Sequence, residues 1–393
     1  MHFPRQPIAA LQPALWPSQS ATQRAVYEAT QRFAQQALVP HLEVWERQGR
    51  IPREVHAEAA AIGVLGLGFP EAYGGVPADT WTRALATWAL CGAGSGGVIA
   101  ALMSHSIMVW PLAAAASERV KRSLLPALLQ GKLIGALAVT EASGGSDVAR
   151  LQTRAERCPG GWRLRGSKMY ITSGMRADVL LIAARGGDPG SQGLSLFVVE
   201  APAEGLERYP LEKTGWLCSD TAAIHLDGVF VPHDALVGDE GRGLGLILQN
   251  FNAERLLMAV QALALASVCA EEALAWAWTR NTFGAPLIAH QVIRHKFARM
   301  VQSILGPLHW ARSLCDRIDQ GEVPAGEIAL LKNAATQALR EVADQSVQIL
   351  GGQGYLRASA SERIYREVKV MMIGGGAEEV MYELAARQLG LEP

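Results

Sequence analysis

The order of hydrophobic periodicities along the chain is the feature that most constrains its fold. Apolar residues recur at helical spacing in residues 20–38, 52–65 and 117–130, and helical spacing returns from about residue 236 onward. Between these regions, short β-prone runs are separated by Gly, Pro and Asp turns. Because strands and helices do not alternate one by one, the pattern argues against a doubly wound parallel sheet. It predicts a multidomain α+β chain.

The residue pattern in the middle third of the chain predicts a compact β domain. Residues 134–140 form a continuous apolar run of strand length, and residues 162–171 alternate apolar and polar side chains. In the last third, three-and-four spacing from Ile328 to Ile349 predicts a long helix that ends at Gly351. Further strands are expected at residues 179–184, 194–199 and 223–231. The predicted domains are an N-terminal α domain (1–132), a middle β domain (133–235) and a C-terminal α-helical bundle (236–393).

Charge and cysteine usage exclude several classes of function. The formal net charge is −1 at pH 7 and there is no long basic run, which argues against a nucleic-acid-binding surface. The five cysteines lie far apart, without a CxxC pair or a His at zinc spacing, so we expect reduced thiols and no metal site. Prolines interrupt the N-terminal stretch where an export signal needs an apolar run, and a cytoplasmic location is predicted.

One segment imitates a membrane span. No Asp, Glu, Lys or Arg occurs between Arg83 and Glu118, which is long enough to cross a bilayer. The segment nevertheless contains several glycines, a Ser-His-Ser sequence and Pro111, and no basic anchors flank it. This density of small and polar residues predicts close helix packing in a large core and no membrane span.

The pair Glu254–Arg255 stands on a predicted buried helix. In residues 241–259, apolar side chains from Leu246 to Met258 fall close to helical spacing. A carboxylate on such a surface is costly unless a partner or a reaction needs it. Taken alone, an ion pair with the adjacent arginine is the commoner explanation.

Four segments combine glycines with hydroxyl, aromatic or cationic side chains. They are residues 137–147, 168–174, 280–284 followed by Gln291, and 348–355. Glycines let the backbone approach a ligand closely, and hydroxyls with backbone N–H groups suit a polar ring edge or a phosphate. No GxGxxG sequence within a βαβ unit is present, so a Rossmann site is not predicted. Each segment alone is equally compatible with an ordinary turn.

Together these segments resemble the acyl-CoA dehydrogenase family of flavoproteins, from about Tyr27 to Leu389. The resemblance implies an N-terminal α domain, a barrel-like middle β domain and a C-terminal four-helix bundle, in agreement with the periodicities. It also implies an enzyme that binds FAD between the β domain and the bundle. The motifs, in the family's order, are PEAYGG, AVTEASGGSD, GSKMYITSG, TGWLCSDTAAIHLDGVFVP, NAERLL, RNTFGAPLIAHQ, QILGGQGY, SERIYRE and IGGGAEEVM.

The resemblance further implies which residues bind FAD, and that one site takes residues from two chains. A homo-oligomer is therefore expected, a tetramer in the usual case and a dimer as the alternative. The residues implied to contact the flavin are Leu137, Val139, Thr140, Gly145, Ser146, Tyr170, Ile171 and Thr172, with Ala377 and Glu379 closing the site. Those implied to bind the pyrophosphate and adenosine are Arg280, Phe283, Gln291, Gln348, Ile349, Gly351 and Gly352.

A coupled substitution identifies the implied catalytic base. Many family members carry a catalytic Glu at the position of Gly375, but this chain has glycine at 374, 375 and 376. Members resembling the isovaleryl-type and long-chain-type enzymes carry the base on the helix, at the position of Glu254. Because both features occur together here, we predict that Glu254 is the base and that Gly375 contributes its backbone N–H.

The implied reaction is α,β-desaturation of an acyl-CoA thioester. Glu254 would remove the pro-R α-proton while the β-hydrogen leaves as hydride to flavin N5, and an electron-transfer-flavoprotein-type acceptor would take the electrons. The N–H of Gly375 and a flavin ribityl hydroxyl would stabilise the enolate oxygen. Burial should raise the pKa of Glu254 towards neutrality. Substrate contacts are expected from Ser146, Phe251, Asn252, Arg255 and Gly376.

Three alternatives remain open at this point. The substrate could be an acyl or aminoacyl group tethered to a carrier protein, which a basic docking patch would favour. The chain could be an acyl-CoA oxidase or a flavin monooxygenase on the same fold. It could also be a non-catalytic binding protein that retains the fold. Finally, the glycines at 92, 94, 96 and 97, with Ala100 and Ala101, predict room in the acyl channel, and hence a medium, long or branched acyl group over a four-carbon one.

Overall fold

The computed structural model describes residues 4–11, 20–186, 193–357 and 359–391. Short polar side chains fix the starts of the N-terminal helices. Ser20 accepts a hydrogen bond from the N–H of Gln23, and the Gln23 side chain accepts one from the N–H of Ser20. Asp79 and Ser95 cap two later helices, because the side chain of each accepts a hydrogen bond from the backbone N–H three residues later. The helices are α1 Ala21–Phe33, α2 Leu42–Gln48, α3 Glu54–Ala61, α4 Thr80–Cys91, α5 Gly96–Ala115 and α6 Glu118–Leu129.

An eight-stranded sheet forms the middle region, as predicted. The strand order is β6-β7-β3-β2-β4-β5-β8, and β1 pairs in parallel with β4. Among the described strands, no pairing joins the end strands β6 and β8. The strands are β1 Gly135–Ala138, β2 Arg154–Cys158, β3 Gly161–Thr172, β4 Val179–Arg185, β5 Leu194–Glu200, β6 Leu206–Pro210, β7 Thr221–Pro232 and β8 Leu236–Val237.

Long helices form the C-terminal region and pack into a bundle. Helix α7 (Gly243–Thr279) packs along α9 (Ala325–Leu350), and α8 (Gln291–Asp319) lies against both. Helices α10 (Ala360–Ile373) and α11 (Glu378–Gln388) cover α9. A short hairpin, β9 Asn281–Thr282 with β10 Ala285–Pro286, joins α7 to α8. The predicted fold class is confirmed, whereas the exact domain boundaries stay a proposal.

Helices α5 and α7 are the two described helices that could cross a membrane by length and composition. Their most apolar 18-residue windows have mean hydropathies of 1.7 and 1.5. However, 56% of the first window and 89% of the second are buried inside the protein. Their apolar character is therefore explained by the core that they form.

The glycines before and within α5 allow close packing, which differs from the expectation that they widen an acyl channel. A Cβ on Gly97 would lie 2.8 Å from Sγ of Cys218, and one on Gly96 would lie 2.6 Å from Nε1 of Trp216. A Cβ on Gly94 would likewise meet Arg5. Because these positions face other protein segments, the size of the acyl group cannot be inferred from them.

A proline in α5 creates a contact with α7. Pro111 has no N–H, so the carbonyl of Ile107, four residues earlier, has no donor within its helix. The side chain of Asn250 on α7 donates to that carbonyl at 2.7 Å. Helix α7 is thereby attached to the N-terminal region one turn before Glu254.

Candidate active site

Glu254 is a deep carboxyl without a direct partner. Within the described residues, no group donates a hydrogen bond to it and no cation forms an ion pair with it. Two other inner carboxylates, in contrast, each accept several hydrogen bonds. Glu141 accepts from Lys168, Thr153 and the N–H of Gln152, and Glu272 accepts from Ser361 and the N–H of Ala360. Glu254 is therefore available to a ligand in a way that structural carboxylates are not.

The environment of Glu254 changes its affinity for a proton. Burial raises the pKa of Glu254 to about 7, and the positive charges of Arg255 and Lys332 act in the opposite direction. The residue nevertheless keeps an intermediate accessible surface. Protein thus surrounds the carboxyl without sealing it. For Glu141, burial also raises the pKa, but Lys168 and the hydrogen bonds outweigh it and the net pKa is lowered.

Arg255 holds the loop after α10 and does not pair with Glu254. Its side chain is only 6% exposed. Nε donates to the carbonyl oxygen of Gly375 at 2.7 Å, and Nη1 donates to Oδ1 of Asn252 at 3.3 Å. The guanidinium also lies over the ring of Phe251, at 5.7 Å from its centroid. The ion-pair explanation of Glu254 is therefore not supported by the geometry.

The loop after α10 requires glycine. Gly375 and Gly376 have φ of +68° and +116°, a region that side chains rarely adopt. A Cβ on Gly375 would also lie 2.8 Å from Sδ of Met258 on α7. The side chain of Met258 on α7 thus partly fills the space that a carboxylate side chain at residue 375 would need. This arrangement is compatible with the prediction that the base is Glu254.

The two predicted flavin segments of the β domain come together. The N–H of Met169, at the end of β3, donates to the carbonyl of Thr140 after β1, at 2.8 Å. Lys168 donates to Glu141 at 2.8 Å and to the carbonyl of Val139 at 3.0 Å, which fixes the loop start. Tyr170 is 64% exposed with φ of +62°. Strained backbone of this kind is concentrated at ligand sites.

The predicted nucleotide segments lie at one end of the bundle. Nζ of Lys296, early in α8, donates to Oε1 of Gln345, late in α9, at 2.6 Å. Phe283 is fully exposed, with φ of +51°. No atom lies within 4 Å of a Cβ placed on Gly351 or Gly352. These aromatic and backbone surfaces are free to meet a ligand. Arg280, Gln291 and Gln348 are exposed as well.

Comparison with known proteins identifies the family. Sequence models described as the N-terminal, middle and C-terminal domains of acyl-CoA dehydrogenase match residues 20–132, 136–229 and 241–390. The chain belongs to the acyl-CoA dehydrogenase family. It is 32% identical over 368 residues to the long-chain specific acyl-CoA dehydrogenase, mitochondrial, of Mus musculus, covering 92% of this chain and 85% of that protein. It is 30% identical over 373 residues to the isovaleryl-CoA dehydrogenase, mitochondrial, of Oryza sativa subsp. japonica, covering 94% and 91%.

Solved structures agree with this family assignment. A crystal structure of an acyl-CoA dehydrogenase from Mycobacterium smegmatis superposes with a TM-score of 0.94 at 40% identity, over 95% of this chain and 99% of that chain. A glutaryl-CoA dehydrogenase from the same organism, in complex with FADH2, gives 0.90 at 25% identity, over 95% and 96%. Acyl-CoA dehydrogenases are FAD-dependent oxidoreductases. The predicted family, enzyme class and cofactor are confirmed, and the cytoplasmic location stays a prediction.

The residues predicted to bind FAD differ in how accessible they are. Val139, Ile171 and Ile349 are buried. Leu137, Thr140, Thr172 and Ala377 are partly accessible, and Gly145, Ser146 and Glu379 are exposed. The strained, exposed Tyr170 and Phe283 are the residues whose geometry most favours a flat or aromatic ligand.

Glu254 and the predicted nucleotide residue Arg280 lie far apart in one chain. They are separated by 26 positions (residues 254 and 280) on the continuous helix α7 and its C-cap. At about 1.5 Å per residue this places them about 39 Å apart along the helix axis.

Sequence reasoning missed Lys332. It lies on α9 and its side chain is 0% exposed. The signal was present, because a lysine stands four residues after Ile328 on the apolar stripe of a predicted helix. Glu378, the carboxyl that follows the glycine loop, accepts a hydrogen bond from Nε2 of Gln337 at 2.8 Å. Its environment resembles that of a structural carboxylate.

Proposed function

We propose that this chain catalyses the FAD-dependent α,β-desaturation of an acyl-CoA thioester, with Glu254 as the base that takes the α-proton. Family membership supports acyl-CoA dehydrogenation, and the role of Glu254 is the finer claim. One observation carries that claim. Glu254 is the deep carboxyl that lacks a donor among the described residues, and it lies next to a loop with no carboxylate at residue 375.

The protein residues must both accept the proton and stabilise the charge that its loss creates. An α-C–H bond is acidic enough only if the thioester oxygen finds pre-organised donors as charge develops. We assign the backbone N–H of Gly375 as one such donor. Arg255 binds the carbonyl of the same residue and so limits rotation of the loop. A base whose pKa is about 7 exchanges its proton readily near neutral pH.

FAD would be held by the two groups of residues predicted from the sequence. When bound, the flavin accepts the β-hydrogen with its electron pair. Around the flavin we place the loop after β1 from Thr140 to Ser146, together with Tyr170 to Thr172, Ala377 and Glu379. Around the pyrophosphate and adenosine we place Arg280, Phe283, Gln291, Gln348 and the glycines that follow α9. Arg280 would supply the positive charge that a pyrophosphate needs.

A second copy of the chain would complete each site. The distance of about 39 Å along α7 between Glu254 and Arg280 supports this proposal, because it separates the proposed base from the proposed pyrophosphate-binding cation of the same subunit. The exposed aromatic Phe283 lies at the nucleotide end, where a partner would cover it. A dimer is the smallest assembly that satisfies the geometry, and we propose a tetramer in accordance with the family resemblance.

The substrate side of the site would be built around Arg255. Its guanidinium contacts both Asn252 and Phe251, so these three side chains form one contact group on α7. We propose that they bind the acyl-CoA together with Ser146 and Gly376. An electron-transfer-flavoprotein-type protein would then reoxidise the cofactor.

Substitution Glu254→Gln tests the proposal. The purified FAD-loaded variant is mixed anaerobically with a panel of acyl-CoA thioesters, and flavin bleaching is followed. We expect normal FAD content and a reduction rate lowered by about 10²–10⁴-fold or more, because a positioned general base is lost. Glu378→Gln tests the neighbouring carboxyl and should retain far more of the reduction rate than Glu254→Gln. Bleaching of Glu254→Gln at the wild-type rate would contradict the assignment.

A further inference from the structure

Lys332 is a fully buried cation that no motif of the sequence accounts for. Burying an ammonium group is costly unless hydrogen-bond acceptors surround it. In the described part of the chain, Nζ of Lys332 donates to two backbone carbonyls, that of Met372 at 3.2 Å and that of Gly376 at 2.7 Å. Both acceptors belong to the segment around the glycine loop.

The two carbonyls bracket the loop on either side. Met372 belongs to the last turn of α10, where carbonyl groups lack intrahelical donors and the helix dipole is negative. Gly376 lies just before α11. Arg255 holds the carbonyl of Gly375 between them. Two cations, one from α7 and one from α9, therefore fix consecutive carbonyls of the loop.

The charges that act on Glu254 come from the same two residues. On its own helix the nearby charge is Arg255, and from α9 it is Lys332. The carboxylate of Glu378, at the start of α11, acts in turn on Lys332. Because Glu254 has no direct hydrogen bond within the described residues, these charges and burial together govern its ionisation.

We propose that Lys332 is a positioning residue of the reaction, which fixes the loop carrying the N–H of Gly375 and supplies positive charge that favours ionised Glu254. The inference rests on the proposed role of Glu254 as the base. Lys332 touches neither substrate nor cofactor. It acts through the loop and through its charge.

A distinctive pH dependence follows. Glu254 must be deprotonated to act, and its pKa is raised to about 7. Lys332 must keep its proton, and burial lowers its pKa to about 8, with Glu378 acting in the opposite direction. The wild-type profile of kcat/KM should therefore rise through the first value and fall through the second, with apparent constants that belong to the coupled pair.

The experiment compares Lys332→Met and Lys332→Arg in the FAD-loaded enzyme between about pH 6 and pH 9. Lys332→Met should lower kcat by about tenfold to a hundredfold, since small misplacements of catalytic groups cost this much. In the pH profile of kcat/KM, it should also move the rise on the acid side (the acid limb) to higher pH and remove the fall on the alkaline side (the basic limb). Lys332→Arg should recover most of kcat and lack the basic limb, because arginine stays protonated in this range. The infrared carboxylic-acid band that is missing in Glu254→Gln reports the ionisation of Glu254 without turnover.

Lys213→Met is the matched control. Lys213 is also a partly buried lysine that donates to backbone carbonyls, those of Trp216 and Ser219, but its charge acts on other carboxylates. We expect lower stability with an unchanged pH profile. An unchanged profile in Lys332→Met, or a basic limb retained in Lys332→Arg, would overturn the proposal. If neither variant folds, the absence of a basic limb in the wild type overturns it. If Glu254→Gln is inactive while these tests fail, only the role of Lys332 is wrong.

Discussion

Nε of Arg255 donates a hydrogen bond of 2.7 Å to the carbonyl oxygen of Gly375. This bond joins the residue after the proposed base to the loop position at which the family resemblance places the alternative base. The side chain of Met258 fills part of the space at residue 375.

A glutamate at residue 375 of the loop should replace Glu254 as the base only when the side chain of Met258 is shortened to make room for it. In a Glu254→Gln background, Gly375→Glu alone should recover little flavin reduction, because a Cβ at 375 lies 2.8 Å from Sδ of Met258 and φ is +68°. Adding Met258→Ala should raise the anaerobic reduction rate by about tenfold over the double variant. Met258→Ala with Glu254→Gln and Gly375 intact is the control and should stay inactive.

Arg280→Ala should weaken FAD retention. A phosphate loses its charge-assisted donor in this variant, which costs about 1.5–3 kcal/mol, or about tenfold to a hundredfold in Kd. FAD per subunit is measured by absorbance after extensive dialysis. Arg47→Ala, an exposed arginine on α2, should keep the wild-type content. Equal FAD occupancy in both variants would count against the nucleotide half of the proposed site.

Gly97→Val should destabilise the fold. A Cβ at this position lies 2.8 Å from Sγ of Cys218 and 3.0 Å from the backbone of Trp216, so the middle region would have to move away from α5. We expect a loss of about 1–3 kcal/mol in the free energy of unfolding, the usual cost of overpacking. Gly245→Ala, on α7 with no atom within 4 Å of its Cβ, should be neutral or stabilising. Denaturant midpoints measure both.

Glu254→Gln should increase stability at neutral and alkaline pH. The pKa of Glu254 is about 7 in the folded chain and near the ordinary value of 4.5 in the unfolded chain, so the folded state binds the extra proton between these values. Stability therefore falls as pH rises through 7, and the amide removes that loss, a gain of about 1–3 kcal/mol. The gain should vanish below about pH 4.5.

Two buried histidines make the free energy of unfolding depend on pH in the opposite direction. The measurement must distinguish their contribution from that of Glu254. Burial lowers the pKa of His56 to about 3 and that of His105 to about 4. Both stay neutral in the folded chain and bind protons on unfolding, so stability falls as pH drops below about 6.5. Only the difference between Glu254→Gln and wild type isolates the carboxyl. A constant difference across pH would contradict a raised pKa of Glu254.

The sequence predicted much of the fold because local periodicity carries that information. Apolar spacing on α9 and its stop at Gly351 were read correctly, as were the apolar strands β1, β4 and β5. Strands β2 and β6 were missed, because RAERC and LERYP lack apolar alternation and are held by pairing with β3 and β7. Pairing is a long-range property, and no window of sequence reports it.

The sequence by itself determined the family, FAD as cofactor and the candidate base, since each depends on residue identity at motif positions. Only the tertiary structure decided that Arg255 serves the loop and not Glu254, that Lys332 holds Met372 and Gly376, and that the glycines around α5 meet other segments. The physical reason is that hydrogen bonds and desolvation depend on which distant residues meet. Lys332 is 44 positions from Gly376 along the chain, yet their polar atoms lie 2.7 Å apart.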